Sequence, residues 1–278
     1  MRKLVLSACL PALLAGTALA GEPGGRAALG VPAINSGGVV SASAFGEFTL
    51  VSPGSWIEIY GTNLATKTRP WQTSDFNGIN APIELSGTSV AVGGQAAYVE
   101  YISPNQVNAL ISSNVATGTQ MVSVKSPGGT SASVSVTVNA VSPGLLAPPS
   151  FNIGGTQYAV ALFPDGSFVL PTGAIPGLNS RPAMPGDTIV LYGVGFGPVT
   201  SGIPAGQLAQ QDSTLSYTFN LYLAQQLCSE IYAGLAPFYT GLYQFDIIVP
   251  MVPAGNAALT FNVNGTDGTQ TLYIAVQN

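Results

Sequence analysis

Histidine is absent from this 278-residue chain. With it go the commonest general base, the usual zinc ligand and the ordinary Ser-His-Asp arrangement. A hydrolase built on these residues needs a Ser-Lys dyad or a pair of carboxylates instead. Lys67 lies in a polar loop beside Arg69, and Lys125 ends a strand before a Pro-Gly-Gly turn; both read as solvated surface charge. The acidic residues are scattered singly, with no D-x-E or E-x-x-E spacing to bring two together along one element. Asp165-Gly166 and Asp267-Gly268 offer carboxylates, yet Asp-Gly is what hairpin turns prefer, and a hard cation wants roughly six to eight oxygen ligands. No metal site, cofactor site or catalytic residue is therefore expected, and the chain reads as a non-enzyme. Cys228 stands in an apolar-alternating stretch and reads as a buried, inert thiol.

Aromatic side chains are the better candidates for function. Trp71, in Thr68-Arg69-Pro70-Trp71-Gln72, and Phe238 and Tyr239, in Pro237-Phe238-Tyr239-Thr240, fall in loops. Exposed rings on sandwich loops dock sugars or protein partners because they present rigid apolar area with a polar handle. Trp71, Phe238 and Tyr239 are the expected binding residues. Trp56 and Tyr60 share the strand face opposite the inferred core, where packing between domains is the favoured role.

The elements that position these residues are short strands. After residue 35 the chain shows period-2 alternation rich in Val, Ile, Tyr and Thr, interrupted by Gly, Pro and Asn, the spacing of a sandwich or barrel. Leu221 to Leu227 could pass for a helix, but an internal repeat places a strand pair there. Pro53-Gly54-Ser55-Trp56-Ile57-Glu58-Ile59-Tyr60-Gly61 aligns with Pro185-Gly186-Asp187-Thr188-Ile189-Val190-Leu191-Tyr192-Gly193. Tyr101 with Gln106-Val107-Asn108 aligns with Tyr232 and Gln244-Phe245-Asp246. Each copy ends on a Gly-bearing turn and a last strand, Pro127-Gly128-Gly129 in the first and Asp267-Gly268 in the second. The expected fold is all-β: two immunoglobulin-like sandwiches over 35–142 and 182–278, joined by a Pro/Gly-rich connector over 143–181 that contains a β-hairpin around Pro164-Asp165-Gly166. Gly93-Gly94 is a two-residue hairpin signal; Ala224-Gln225 holds the same place in the second copy, where a looser or longer loop is expected. Gly61 and Gly193 are expected to free the chain to bend.

Met1-Arg2-Lys3, the apolar run Leu4 to Leu14 and the small-x-small site Ala18-Leu19-Ala20 make residues 1–20 a secretory signal peptide cleaved after Ala20, followed by a flexible leader over 21–34. No transmembrane segment is then expected in the mature chain, and secretion, whether to the periplasm, the cell surface or the medium, follows. Charged side chains make up 7% of the sequence and the formal net charge is −5, so there is no basic stripe to engage nucleic acid.

Pro53-Gly54, Ile59-Tyr60-Gly61-Thr62-Asn63-Leu64, Val90-Ala91-Val92-Gly93-Gly94-Gln95-Ala96, Ile102-Ser103-Pro104, Gly118 and Val122-Ser123-Val124 together resemble the IPT/TIG immunoglobulin-like domain, with its G-x-N-F/L after the first strand and V-x-V-G-G-x-x-A hairpin. The whole of 35–278 resembles the uncharacterised secreted or C-terminal modules common in Acidobacteria of the Solibacter type, which pair two such units around an Asp-Gly hairpin. Leu191-Tyr192-Gly193-Val194-Gly195-Phe196-Gly197-Pro198 and Gly241-Leu242-Tyr243-Gln244-Phe245 carry that likeness in the second copy. The resemblance implies the fold and says little of function; with the signal peptide, the repeat and the missing catalytic side chains it points to a non-catalytic module for cell-surface adhesion, envelope structure or recognition, with a surface glycan or protein as partner. The alternatives are a carbohydrate-binding accessory module using the loop aromatics, and a hydrolase whose carboxylate pair assembles in space. With few Lys or Glu to guard them, unpaired edge strands offer a further route to association unless the 143–181 hairpin covers them.

Overall fold

A computed structural model describes residues 29–43 and 48–278. The expected signal peptide, with Cys9, and most of the expected leader lie outside the described residues. The described chain is almost entirely β and divides into two compact units: one built mainly from residues up to Ala140 with Pro204–Leu208, the other from Val141–Ile203 and Ala209–Asn278. Each is an immunoglobulin-like sandwich.

In the first unit, β1 (Ala33–Ser41), β2 (Trp56–Thr62), β3 (Thr88–Val92), β4 (Tyr98–Ile102), β5 (Gln106–Leu110), β6 (Gly118–Ser126) and β7 (Val134–Val138) form two sheets. One runs β1-β2-β5-β4 and ends on the short strand Arg69–Pro70; the other runs from Leu50–Val51 through β7-β6-β3 to Glu84–Leu85. Alternation fixes which side chains meet. Ile57, Ile59, Val107 and Ala109 from the first sheet face Val90, Val92, Val122, Val124 and Val136 from the second, all buried.

The second unit repeats this plan with β8 (Ala161–Leu162), β9 (Phe168–Val169), β10 (Thr188–Val194), β11 (Phe219–Leu223), β12 (Ser229–Leu235), β13 (Tyr243–Ile248), β14 (Gly255–Val263) and β15 (Leu272–Val276). Leu221 to Leu227 is a strand, a turn and a short returning strand, with no helix. The 143–181 stretch belongs to this unit. Its hairpin pairs Ala161 with Leu191 and Leu162 with Val190, covering the edge of β10. Ala159 and Ala183 bond to the carbonyls of Tyr273 and Ala275, covering the edge of β15.

The repeat holds at the level of register. Glu58 pairs with Asn108 and Tyr60 with Gln106; Val190 pairs with Asp246 and Tyr192 with Gln244. Both copies carry a bulge at the same step, Glu100 between Val99 and Tyr101 and Ile231 between Glu230 and Tyr232. Leu64 and Phe196, four residues into the Gly61 and Gly193 motifs, both sink fully into their cores. Each follows a left-handed residue, Asn63 at φ 55° and Gly195 at φ 79°, which turns the chain inward.

Three local expectations are corrected. Ala224 and Gln225 make the same tight turn as Gly93-Gly94: their φ values are 45° and 67°, against 56° and 77° for the glycines. The Ala224 amide bonds to the Ala258 carbonyl as the Gly93 amide bonds to Met121, so the surrounding sheet imposes a primed turn on residues that disfavour it. The last hairpin of the second unit turns at Asn264-Gly265, φ 49° and 82°, while Asp267 lies in the returning strand. Gly61 and Gly193 have ordinary φ. A Cβ would stand 2.2 Å from the Ala33 carbonyl oxygen at the first, and 2.5 Å from the Phe196 ring and 2.7 Å from the Gly144 oxygen at the second. Close approach, and not bending, requires glycine there.

Candidate functional site

The three aromatic residues singled out by sequence occupy different surroundings. Trp71 follows the short strand Arg69–Pro70 in the first unit and is half-buried against the core, not free in a loop. Its ring meets Trp56 edge-on at 5.6 Å and Phe76 at 4.9 Å, an arrangement that uses its faces and edges for packing. The loop it starts is closed by a bidentate ion pair: Arg69 donates to Asp75 at 2.8 and 2.9 Å and to the Pro70 carbonyl, and Asp75 also accepts from the Gln72 amide. The Arg69 guanidinium holds the Asp75 carboxyl below the usual carboxylate range. The second unit repeats this clasp at the same spacing but a different place, with Arg181 donating to Asp187 at 2.8 Å and lying 3.6 Å above the Phe163 ring. The Arg-Pro-x4-Asp spacing is present in the sequence, but its two occurrences do not correspond in the repeat: Arg69 and Asp75 follow Gly61, whereas Arg181 and Asp187 precede Gly193.

Phe238 and Tyr239 lie together in the second unit, on the turn between β12 and β13. Phe238 is 53% exposed and has φ 69°, a left-handed conformation that is rare for a bulky residue. Four backbone hydrogen bonds fix this turn. The Phe238 amide bonds to the Ala209 carbonyl at 2.6 Å and the Ala209 amide to Tyr239 at 2.9 Å; the Tyr239 amide reaches Ala236 and the Ala236 amide reaches Leu242. Tyr239 is half-buried beneath, where burial pushes its phenol pKa up. One ring is thus held out on a hydrogen-bonded, left-handed backbone, and the next is half-buried.

A second cluster escaped the sequence entirely. On the outer face of the first unit's β1-β2-β5-β4 sheet, Asn108 stands between Glu58 on β2 and the bulged Glu100 on β4. The bulge sets Glu100 and Tyr101 both opposite Asn108, which turns the Glu100 side chain toward the centre of the sheet. Gln106 donates to Asn108 Oδ1 at 2.9 Å and Asn108 Nδ2 donates to Glu100 at 3.2 Å, so the order of donors fixes the Asn108 amide. The Tyr60 hydroxyl donates to Glu58. Glu100 is 6% exposed and Asn108 1%. Burial first, then the nearby Glu58 charge, pushes the Glu100 carboxyl up to about 7 against the pull of Asn108; burial also raises Glu58. Two acids separated by 42 positions in sequence come together only because a bulge and three-strand register bring them there. Chemically Glu100 can hold a proton near neutrality; its depth leaves it little surface for a sugar to reach.

Other features are slight. A depression of about 190 Å³ lined by Gly37, Val39, Thr49 and Val134 to Thr137 is smaller than the roughly 300–1,000 Å³ of ligand pockets. Among the described residues no group of three or more His, Cys, Asp or Glu could hold a metal ion, and no helix is long and apolar enough to cross a membrane.

No protein family matches this chain, and no curated protein does. Among solved structures, the Bacteroides ovatus mixed-linkage glucan utilization locus SGBP-B, in complex with a mixed-linkage heptasaccharide, is 12% identical over 88% of this chain and 45% of its own, with a TM-score of 0.37. A surface glycan-binding protein from Prevotella bryantii is 10% identical over 87% of this chain and 42% of its own, TM-score 0.26. Domains 5–6 of the S-layer protein SbsC are 12% identical over 89% of this chain and 99% of that one, TM-score 0.26. The chain spans less than half the length of the two glycan-binding proteins.

Proposed function

We propose that this chain is a secreted, non-catalytic module protein of two IPT/TIG-type sandwiches, and that it recognises a cell-surface or envelope ligand through the Phe238-Tyr239 turn. The observation that carries the reading is Phe238 itself. An exposed aromatic ring stands there on a left-handed backbone that four hydrogen bonds hold in place, and backbone strain of this kind clusters at ligand sites. A ring fixed in advance loses little freedom on binding, which favours recognition of flat, partly apolar faces such as those of sugars. Trp71, packed edge-on between Trp56 and Phe76, serves this reading as support for its own loop and not as the docking ring. The hydrolase alternative has its two carboxyls in Glu58 and Glu100, but both already accept hydrogen bonds from neighbouring side chains and Glu100 is buried.

Affinity electrophoresis of the purified protein through gels containing mixed-linkage glucan, and co-sedimentation with peptidoglycan sacculi, test the binding reading. Retardation or co-sedimentation without release of soluble sugar is expected. Passage through every matrix unretarded, or hydrolysis of any of them, overturns it.

A further inference from the structure

The outer sheet face of the first unit differs from its counterpart in one respect that the fold does not require. Both copies keep the bulge, the tyrosine after it and the Gln-x-Asx ladder, with Gln244 donating to Asp246 at 2.8 Å as Gln106 donates to Asn108 at 2.9 Å. In the second copy Val190 and Ile231 stand where Glu58 and Glu100 stand in the first, and Ile231 is 57% exposed. The same backbone therefore forms without the acids. Two carboxyls flanking one neutral amide on a buried face have no structural necessity, and a buried carboxylate without a cation beside it is costly.

We propose that Glu100, buried on this face beside Asn108 with Glu58 two strands away, acts as a pH-operated catch that tightens the first sandwich in mild acid and loosens it above neutrality. The groups around the catch are few. Tyr60 on β2 donates to Glu58, Gln106 and Asn108 on β5 are neutral, Tyr98 and Tyr101 share the β4 strand, and β1 carries no titratable side chain. Arg69, on the strand beside β4, gives its guanidinium to Asp75 and Ser86. Only the Glu58 charge acts on Glu100, and it repels. The sign follows from proton linkage. A carboxyl that burial and a like charge keep protonated in the fold binds more protons folded than unfolded between its two titration points. Stability is then greatest in mild acid and falls as pH rises through neutrality, the reverse of ordinary acid denaturation.

Both tryptophans of the chain, Trp56 and Trp71, lie in the first unit, and Trp56 shares the strand face of Glu58, so tryptophan fluorescence reports this sandwich alone. Urea unfolding of the full chain followed by tryptophan emission at pH 5 and pH 8 reads the catch. The folding constant is expected to fall on the order of fifty-fold between the two, one unit of pKa displacement being tenfold. Glu100→Gln is expected to remove most of that dependence, and Asp246→Asn in the second unit to leave it in place. If Glu100→Gln does not fold, Glu58→Gln gives a second reading: it leaves Glu100 buried and removes only the like charge, so the dependence is expected to shrink in part. A wild-type midpoint that is flat or rises from pH 5 to 8, or a Glu→Gln variant that keeps the full dependence, overturns the proposal.

Discussion

Asn108 donates its side-chain amide to the buried Glu100 carboxyl at 3.2 Å, and its own oxygen is held by Gln106. The second copy places an acid, Asp246, at this register position, with apolar neighbours on both sides. Asn108→Asp therefore puts a third carboxyl between two others and replaces the donor by an acceptor. At pH 8 this should cost about 3 kcal/mol of the first sandwich's stability, the scale of an uncompensated buried charge. The cost should shrink at pH 5, where the new carboxyl is protonated and can donate. Urea midpoints from tryptophan emission at the two pH values measure it; an equal cost at both contradicts the assigned geometry.

The Ala224-Gln225 turn holds two non-glycine residues at φ 45° and 67°. Each left-handed residue costs roughly 1 kcal/mol relative to glycine. Replacing the pair with the Gly-Gly of the first copy should stabilise the second unit by about 1 kcal/mol once the greater freedom of unfolded glycine is set against the relief. A thermal midpoint that falls would show that the surrounding sheet tolerates these residues without strain.

At Gly61 the opposite holds. Gly61→Ala puts a methyl 2.2 Å from the Ala33 carbonyl oxygen and 3.0 Å from Leu64, so β1 must separate from β2 or Leu64 must leave the core. A loss of about 2–3 kcal/mol is expected, the usual scale of overpacking. Gly54→Ala is a useful contrast: space at that site is open, and its φ of 73° makes the penalty purely conformational and about 1 kcal/mol.

Cys228 is 6% exposed, and burial pushes its thiol up to about 12. It stands where Ala97 stands in the first copy, each donating its amide back across the hairpin, to Leu221 and Val90 respectively. Ellman's reagent at pH 8 should label it only as fast as the second unit unfolds, and at once in urea. Rapid labelling of the folded protein would mean that β11 and β12 open locally.

Much of the fold could be read in advance because it rests on period-2 alternation and turn glycines. Ile57 and Ile59 face the core, Gly93-Gly94 makes its turn, and the alignment of Gln106-Val107-Asn108 with Gln244-Phe245-Asp246 predicts a register that holds residue for residue. Ala224-Gln225 was misread because tertiary register overrode local preference. The site was less legible. Exposure of Phe238 follows from its loop, but its left-handed backbone depends on the distant Ala209. Glu58 and Glu100 share one side of the sheet only through a bulge, which inserts an extra residue into the alternation and which no local residue announces. Trp71 looked like a free ring because nothing in Pro70-Trp71-Gln72 points to Trp56 and Phe76 as its packing partners.

The proposed recognition surface is tested most directly by Phe238→Gly. Glycine accepts φ 69° freely, so the variant removes the ring without disturbing the turn. Wild type and variant are compared for retention on mixed-linkage glucan and on peptidoglycan sacculi, alongside their thermal midpoints. The expected result is at least tenfold weaker retention, the loss of roughly 1.4 kcal/mol or more that a central aromatic contact contributes, with an unchanged or higher midpoint. Retention equal to wild type in a protein of equal stability would contradict recognition through this turn.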